Sequence, residues 1–516
     1  MKLWDGWLFE LFALLHIVVV LVLVANILIR QKNYSVAIAW IAVIALMPYV
    51  GVILYLIFGQ IFISKRYQNR ISTVRNLLMD FANTQNISLS SDDDIKTTDK
   101  WLNLAKMGES QTGFGVQRNH SATLLTSDTQ IFDAILRDIH HAKKSILLEF
   151  YIVHPKGRVL EVFDALKQAT ARGVSCVLLA DSVGSMGFFV DKSHQDLKLA
   201  GVHIQELFPV GLFKSVVARA DVRNHRKLVC IDGHIGYTGS FNLADPKFFK
   251  QGSGVGAWID VMLRVIHEED LGVVKAMGAV ITSDLSAEKD DNIYFLKNII
   301  NNYRNKIIIG KNEFTYHNNS QTHKHYATVN DVQLQLLPSA PQLSGHLVYE
   351  TIISALYYAK HQIIITTPYF VPDEPLMLAL LSAKRRGVDI AIIMPKVNDS
   401  KLVKYASQAY FEPLLKEGIR LALYQGGLLH SKIISVDSQY ALFGTFNMDM
   451  RSFYLNMEVT LAVYRGDEHF GLLDEIDELQ GDYLQACELL SFDEWRARAW
   501  YFKLLDGAVR LLSPLL

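Results

Sequence analysis

The feature that most constrains this chain is a block of residues that occurs twice. In both copies a histidine is followed by a lysine, an aspartate, a glycine and an asparagine at offsets of 2, 7, 14 and 17 residues. The first copy contains His225, Lys227, Asp232, Gly239 and Asn242, and the second contains His430, Lys432, Asp437, Gly444 and Asn447. A short motif can match once by chance, but two copies with identical spacing indicate an internal duplication.

The sequence around each block repeats one plan. An amphipathic helix ending in Ala-Lys is followed by an apolar strand, a helix, an Arg-Gly-Val turn, a second strand and then the block. This alternation is typical of an α/β fold. We predict two α/β halves with mixed β-sheets, packed pseudo-symmetrically, at residues 115–282 and 331–516, the second ending in an amphipathic tail. Residues 283–330 are rich in Asn, Asp, Lys and His and have no counterpart, so we interpret them as an insertion between the halves.

The histidine and lysine of each block suit phosphate chemistry. Residues two apart in a strand project from the same face, so each imidazole is expected beside an ammonium group. Two such pairs would bind one phosphate and stabilise the charge that develops on it, with Asn242 and Asn447 as neutral donors. One imidazole can attack phosphorus while the other donates a proton to the leaving oxygen. The predicted reacting groups are His225, Lys227, His430 and Lys432.

The two aspartates complete the motifs, although their position favours another role. Asp232 precedes Gly233, and Asp-Gly between apolar runs predicts a hairpin turn. An aspartate in a turn binds nearby backbone amides. For Asp232 and Asp437 we therefore favour a scaffold role over a direct catalytic one.

Each histidine also needs an acceptor for its second ring nitrogen. Asp260 and Glu458 follow the histidines of their own halves by 35 and 28 residues, each within an apolar strand. An unpaired carboxylate there would be costly. We predict that each carboxylate orients the imidazole of its own half, and the alternative is a structural ion pair.

The first 63 residues carry much of the hydrophobic excess of a chain that is 50% hydrophobic. Residues 11–29 and 36–58 form two apolar runs long enough to cross a bilayer, which predicts a transmembrane helical hairpin rather than a signal peptide. Residues 64–114 are polar and are interpreted as a linker. The basic residues on the two sides of the hairpin are Lys2, Lys65, Arg66, Arg70 and Arg75 against Arg30 and Lys32. The positive-inside rule then predicts both termini and the catalytic body in the cytoplasm.

Charge and cysteine content narrow the remaining function classes. The formal net charge is -1 and no stripe of Lys and Arg is present, so nucleic acid is not expected as a partner. The three cysteines, Cys176, Cys230 and Cys487, are far apart, which indicates neither a disulfide framework nor a zinc site. No metal is predicted.

The duplicated block resembles the HKD signature of the phospholipase D superfamily. Segments such as "TPYFVPDEPLMLAL" and "GTFNMDMRSFYLNMEV" are similar to bacterial cardiolipin synthases in particular. That resemblance implies an inner-membrane transferase that needs no cofactor and makes cardiolipin and glycerol from two phosphatidylglycerols. It also implies that His225 is the nucleophile. Tyr369, Arg451 and Ser452 would lie near the site entrance or the lipid head group, and the alternatives are strand packing for Tyr369 and helix-end capping for the other two.

Other functions remain open on the sequence. A hydrolytic phospholipase D would use the same residues with water as the acceptor, and a membrane-tethered nuclease would use them on another phosphodiester. A non-catalytic scaffold is disfavoured because both motifs are intact. The sequence leaves the oligomeric state undetermined.

Overall fold

The structure is a computed structural model of the chain. It describes residues 2–30, 34–59, 99–209, 222–267, 272–288, 326–341, 346–466 and 471–510.

Seventeen strands and seventeen α-helices are described in these ranges. The strands are β1 (Gln117–Leu125), β2 (Ser145–Phe150), β3 (Ser175–Asp181), β4 (His203–Leu207), β5 (Lys227–Ile231), β6 (Ile235–Gly239), β7 (Trp258–Ile259), β8 (Met262–His267), β9 (Thr328–Ser339), β10 (Gln362–Thr366), β11 (Asp389–Pro395), β12 (Arg420–Tyr424), β13 (Leu428–Leu429), β14 (Ile433–Val436), β15 (Tyr440–Gly444), β16 (Glu458–Tyr464) and β17 (Cys487–Leu489). The helices are α1 (Lys2–Arg30), α2 (Tyr34–Leu46), α3 (Pro48–Leu54), α4 (Asp99–Thr112), α5 (Asp128–His141), α6 (Val159–Ala171), α7 (Met186–Val190), α8 (Lys192–Leu199), α9 (Val273–Glu288), α10 (Leu347–Tyr358), α11 (Glu374–Arg385), α12 (Lys401–Gln408), α13 (Phe411–Lys416), α14 (Met450–Tyr454), α15 (Leu472–Gln485), α16 (Phe492–Arg496) and α17 (Trp500–Arg510).

The N-terminal segment forms packed apolar helices. Within α1, Glu10–Ile29 is long and apolar enough to cross a membrane, and it is the one such helix in the described ranges. The second predicted span is divided into α2, α3 and a π-helical turn, with the break just before Pro48. Proline lacks an amide proton and interrupts the helical hydrogen bonds there. Apolar side chains of α1 and α2, including Ile27 and Trp40, pack together.

One sheet of fifteen strands runs through the rest of the described chain. Its order is β17-β12-β11-β10-β14-β15-β16-β9-β1-β8-β6-β5-β2-β3-β4. The antiparallel pair of β1 and β9 lies at the junction of the halves. The strand order outward from this pair is equivalent on both sides, except that the second half ends in the additional strand β17. In each half three strands are parallel and the others antiparallel. The predicted α/β fold with two pseudo-symmetric halves and mixed sheets is confirmed, and the two half-sheets are continuous.

Helices cover both faces of this sheet. On one face, α9 and α15 pack into a single apolar core shared by both halves. On the other face, α5 and α6 build the core of the first half, and α10 and α11 build that of the second. Because each half is held between helix layers, its central strands are buried on both sides and read as continuous apolar runs.

Two boundaries differ from the prediction. The range 64–114 was predicted as a polar linker, but α4 occupies its C-terminal part, and Trp101 is fully buried against Tyr440 at a ring distance of 4.7 Å. The buried residues of α4 recur at helical spacing, a signal hidden by its polar composition. Helix α9 likewise extends to Glu288, inside the predicted insertion 283–330. Residues 60–98 and 289–325, which hold most of the linker and insertion, lie outside the described residues.

Candidate active site

The two motif blocks form equivalent hairpins. Strand β5 runs from Lys227, turns at Asp232 and returns as β6, and β14 and β15 form the same hairpin in the second half. His225 and His430 lie just before these strands, at the end opposite the turn. Gly239 and Gly444 are required by close approach, because a Cβ atom would lie 2.3 Å from Val261 O in one case and 2.5 Å from Val459 O in the other.

The motif aspartates bind backbone at the far end of the hairpins. The Asp232 carboxylate accepts hydrogen bonds from the amides of residues 143, 144 and 145, each at 2.8 Å. Asp437 accepts from the amides of residues 360, 361 and 362 at 2.7–3.2 Å. Both adopt positive φ angles, of 53° and 54°. These contacts hold the loops that lead into β2 and β10, which is consistent with a scaffold role for both aspartates.

Each catalytic histidine candidate contacts a carboxylate from the opposite half. Nδ1 of His225 lies 2.9 Å and 3.0 Å from the two carboxylate oxygens of Glu458, and Nδ1 of His430 lies 2.7 Å from Asp260 Oδ1. The pairing predicted from the sequence, in which each carboxylate serves the histidine of its own half, is therefore wrong. With the carboxylate as acceptor, Nδ1 carries the proton and the lone pair that could react is on Nε2.

The backbone explains this exchange of partners. The His225 amide donates to Met457 O at 2.9 Å, and the His430 amide donates to Ile259 O at 2.8 Å. Each of these carbonyls precedes the carboxylate residue that binds the histidine. A short parallel pairing of β7 with β13 and a bridge between Asn224 and Met457 hold the two halves in this register.

Two hydroxyl residues that sequence reasoning missed support the carboxylates. Ser240 Oγ donates to Asp260 at 2.6 Å, and Thr445 Oγ1 donates to Glu458 at 2.5 Å. Both follow the motif glycine directly, and both hydroxyls also accept a hydrogen bond from the amide of the residue that follows the carboxylate. A hydroxyl residue stands at the same position in both blocks, and this repetition is the sequence signal that could have predicted their role.

The lysines are buried beside the histidines. Lys227 Nζ donates to His225 O at 2.6 Å, and Lys432 Nζ donates to His430 O at 2.5 Å. Burial lowers the pKa of Lys227 to about 8 and that of Lys432 to about 7, although neighbouring carboxylates act in the opposite direction. An anion bound in the site would stabilise the charged form of both lysines.

Burial also lowers the pKa of each imidazole to about 4, against the effect of its carboxylate. The lysine of the opposite motif contributes to both shifts, so the two motifs form one electrostatic unit. Burial raises the pKa of Asp260, but the hydrogen bonds and positive charges around it leave that pKa below its ordinary value. A bound phosphodiester anion would raise the pKa of both imidazoles and of both lysines.

Aromatic rings lie against both histidines. The ring of Tyr151 is 5.1 Å from that of His225, and the ring of Trp258 is 4.8 Å from that of His430. Sequence reasoning did not identify either residue. These rings limit access of water to the imidazoles, which strengthens the electrostatic interactions between them.

The asparagines and the residues assigned by resemblance lie around the same centre. Asn242 Oδ1 accepts from the amide of Ile152 at 3.2 Å, whereas the buried Asn447 Oδ1 has no hydrogen-bond partner within the described residues. The Ser452 amide donates at 2.8 Å to the side chain of Asp449, which caps α14, and the Ser452 hydroxyl accepts from the Asn447 amide at 3.1 Å. The charge of Arg451, also in α14, acts on the phenol of Tyr151.

Tyr369 lies after β10, and its hydroxyl donates to Asp399 at 2.7 Å. In the part of the chain that the structure describes, no cluster of three His, Cys, Asp or Glu residues suited to a metal ion occurs.

Duplicated α/β halves that bring two histidines, two lysines and two supporting carboxylates together define the phospholipase D superfamily. A family model described as "Cardiolipin synthase, PLD-like domain" matches residues 135–253 and 352–479, and one described as "Phospholipase D-nuclease N-terminal" matches residues 15–60. Cardiolipin synthase A of Yersinia pseudotuberculosis serotype IB (strain PB1/+) is 35% identical over 496 residues, which cover 95% of each chain. Cardiolipin synthase A of Yersinia pestis shows the same identity and coverage. The chain belongs to the cardiolipin synthase family.

A solved structure agrees with this fold. Phosphatidylserine synthase of Haemophilus influenzae Rd KW20 superposes with a TM-score of 0.56 and 16% identity, over 77% of this chain and 95% of that one. At this identity the likeness concerns the fold alone.

Proposed function

We propose that this chain is a phosphatidyltransferase that makes cardiolipin and glycerol from two phosphatidylglycerol molecules through a covalent phosphatidyl-histidine. The relatives named cardiolipin synthase A support the product. The observation that carries the chemistry is that His225 and His430 each bind a carboxylate through Nδ1, which leaves two Nε2 atoms for reaction. Two reactive imidazoles suit a reaction in two steps, with one nucleophile and one proton carrier.

In the first step, Nε2 of His225 attacks the phosphorus of the donor lipid. The bond from phosphorus to the head-group oxygen breaks, and protonated His430 gives its proton to that oxygen, which releases glycerol. Glu458 holds the proton on Nδ1 of His225 and stabilises the positive charge that the ring acquires. Lys227 and Lys432 stabilise the charge on the phosphoryl oxygens.

In the second step, neutral His430 takes a proton from a head-group hydroxyl of the second phosphatidylglycerol. The hydroxyl oxygen attacks phosphorus, and the phosphorus–nitrogen bond to His225 breaks. The product is cardiolipin, and the proton on His430 restores the starting state. Asp260 stabilises His430 in its charged form in both steps.

Charge balance supports a phosphodiester as the ligand. Two lysines face two carboxylates in the site, and both imidazoles have a pKa of about 4. A phosphodiester adds one negative charge, which favours protonation of one imidazole. Substrate binding thus supplies the charged general acid that the first step needs.

For localisation we propose the inner membrane of a bacterium, with the N-terminal helices as the anchor and the catalytic body in the cytoplasm. The apolar segment Glu10–Ile29 and the excess of basic residues on one side of residues 11–58 support this arrangement. A reporter fused after Leu516 is expected to be active only in a cytoplasmic form. A periplasmic signal would contradict the topology.

The function is tested by incubating the purified full-length protein, in mixed micelles and excess chelator, with labelled phosphatidylglycerol. We expect cardiolipin and glycerol in equal amounts, and no product from a His225→Ala control. Phosphatidic acid as the only lipid product would establish a hydrolase instead.

A further inference from the structure

A second polar cluster joins the halves outside the duplicated motifs. Lys250 Nζ lies 3.1 Å from Asp399 Oδ2, and Asp399 Oδ1 accepts the hydroxyl of Tyr369 at 2.7 Å. Lys250 belongs to the first half, whereas the other two residues belong to the second. We call Lys250, Tyr369 and Asp399 the bridging cluster.

The bridging cluster borders the His430 side of the active site. Lys250 Nζ lies 5.3 Å from the ring centre of Trp258, and that ring lies 4.8 Å from the ring of His430. The positive charge of His430 is also among those that lower the pKa of Asp399 against the effect of burial. The cluster is therefore placed to hold the part of a ligand that His430 protonates or deprotonates.

The cluster is held in place by its surroundings. The side chain of Asp399 is 9% exposed and that of Lys250 is 47% exposed, so the cluster is anchored on one side and open on the other. Asn398 fixes the Asp399 loop by donating to Pro368 O at 3.0 Å, next to Tyr369. Lys250 adopts a left-handed backbone conformation, with φ of 49°. Strained positions of this kind are retained where the surrounding structure requires them.

The chemistry of the cluster favours hydroxyl groups over a second phosphate. A carboxylate accepts hydrogen bonds through two oxygens, an ammonium group donates three, and a phenol can do both. Asp399 repels an anion, while the paired charges of Lys250 and Asp399 are neutral together. Such a set binds adjacent hydroxyl groups, as in a glycerol head group.

We propose that Lys250, Asp399 and Tyr369 form the subsite for the glycerol head group that His430 serves. This proposal rests on the proposed transferase function. In the second step the subsite holds one hydroxyl of the acceptor lipid while the neighbouring hydroxyl gives its proton to His430. The departing glycerol of the first step occupies the same subsite, because His430 acts on both oxygens. The subsite thereby favours a diol over water or a simple alcohol.

The test separates the acceptor from the donor step. Full-length protein in mixed micelles receives labelled phosphatidylglycerol together with butan-1-ol, whose single hydroxyl cannot span the subsite. Asp399→Asn and Lys250→Met are compared with Lys396→Met. Lys396 is a matched control, since it is 47% exposed and pairs with Glu488 at 2.6 Å. The measured quantity is the ratio of cardiolipin to phosphatidylbutanol, in which any change in the donor step cancels.

We expect this ratio to fall about tenfold in both cluster variants, the effect of losing a hydrogen bond to a charged group, and to stay unchanged in the control. Equal losses of both products, or a ratio within about twofold of the control in either variant, would overturn the subsite. Absence of cardiolipin from the unchanged protein would instead refute the proposed function. Lys250→Met alters a half-exposed side chain, so it keeps the test valid if Asp399→Asn does not fold.

Discussion

The two halves share a strand order but differ behind their histidines. In the first half the residue after His225 is the buried Arg226, which pairs with Asp284 and donates to Glu458 O and to Ser339 O, both at 3.1 Å. In the second half the equivalent residue is Ser431, whose hydroxyl contacts Ile259 O at 3.3 Å and the hydroxyl of Tyr483 at 3.1 Å. The two halves thus share the histidine and lysine of the motif but differ in the residues that support them.

The difference extends into the neighbouring strands. Glu149 in β2 pairs with Leu228 and is fully buried, whereas Thr366 pairs with Ile433 at the equivalent position of β10. Burial and the nearby Asp284 raise the pKa of Glu149 well above its ordinary value. Behind these groups the first half therefore has a buried ion pair, between Arg226 and Asp284, where the second half has neutral hydrogen bonds of Ser431. Unequal surroundings are consistent with unequal roles for the two histidines.

The largest effect is expected from the carboxylates that orient the imidazoles. Glu458→Gln and Asp260→Asn should each lower kcat by about 10³-fold or more, because the Nδ1 proton is no longer specified. Single-turnover rates and melting temperature are measured together. Activity within about threefold of the unchanged protein, with folding retained, would refute this role.

The next prediction compares Arg226 and Ser431 directly. Arg226→Met should lower the free energy of unfolding by about 3–5 kcal/mol, because Asp284 is left buried without its positively charged partner. Ser431→Ala should cost only about 1 kcal/mol, the value of a neutral hydrogen bond. Thermal melting of both variants, with Arg226→Met/Asp284→Leu as the control that removes the whole pair, measures the contrast. Similar losses in the two single variants would show that the halves are supported alike.

The two lysines should be distinguishable by pH. Binding of dimethyl phosphate, whose charge is constant over this range, should weaken by roughly tenfold as each lysine loses its proton. The transitions are expected near pH 7 for Lys432 and near pH 8 for Lys227, since the charged forms exist only below these pKa values. Inhibition constants from pH 6 to 9 are compared in Lys432→Met and Lys227→Met, which should each lack one transition. An inhibition constant independent of pH would contradict the assignment.

The smallest effect concerns Glu149. Since its folded pKa is raised above 4.5, its contribution to stability is present at low pH and is lost as the pH rises through the folded pKa. Glu149→Gln should remove this loss of stability at rising pH. At low pH it should change the free energy of unfolding by less than about 1 kcal/mol. Melting curves at pH 5 and pH 8 test this, with Thr366→Val as the control in the other half. A large loss of stability at pH 5 would show that the carboxylate acts in its charged form.

The sequence was sufficient for the parts of the molecule that depend on local pattern. Identical offsets predicted His225, Lys227, His430 and Lys432 as the reacting groups, and the structure brings these residues to one centre. The Asp-Gly turn after β5 was predicted from adjacent residues. The apolar strands revealed Asp260 and Glu458 as carboxylates that need partners.

What the sequence could not supply were contacts between the halves. The exchange of Asp260 and Glu458 between the histidines depends on the pairing of β7 with β13 across the interface, which no spacing along the chain specifies. Lys250 lies in an irregular segment and Trp258 lies in the two-residue strand β7, and both acquire their neighbours only in the assembled fold. The buried face of α4 was not predicted, because the overall composition of this helix is polar.

The central claim is that the halves build one site in which His225 is the nucleophile and His430 carries protons. It is tested most directly by reacting His430→Asn and His225→Asn proteins with a phosphodiester that has a good leaving group, followed by peptide mass analysis. In His430→Asn we expect a stable phosphoryl adduct on the peptide that contains His225, because loading needs no acid and unloading lacks its base. No adduct is expected in His225→Asn. An adduct on His430 in that variant would contradict the account.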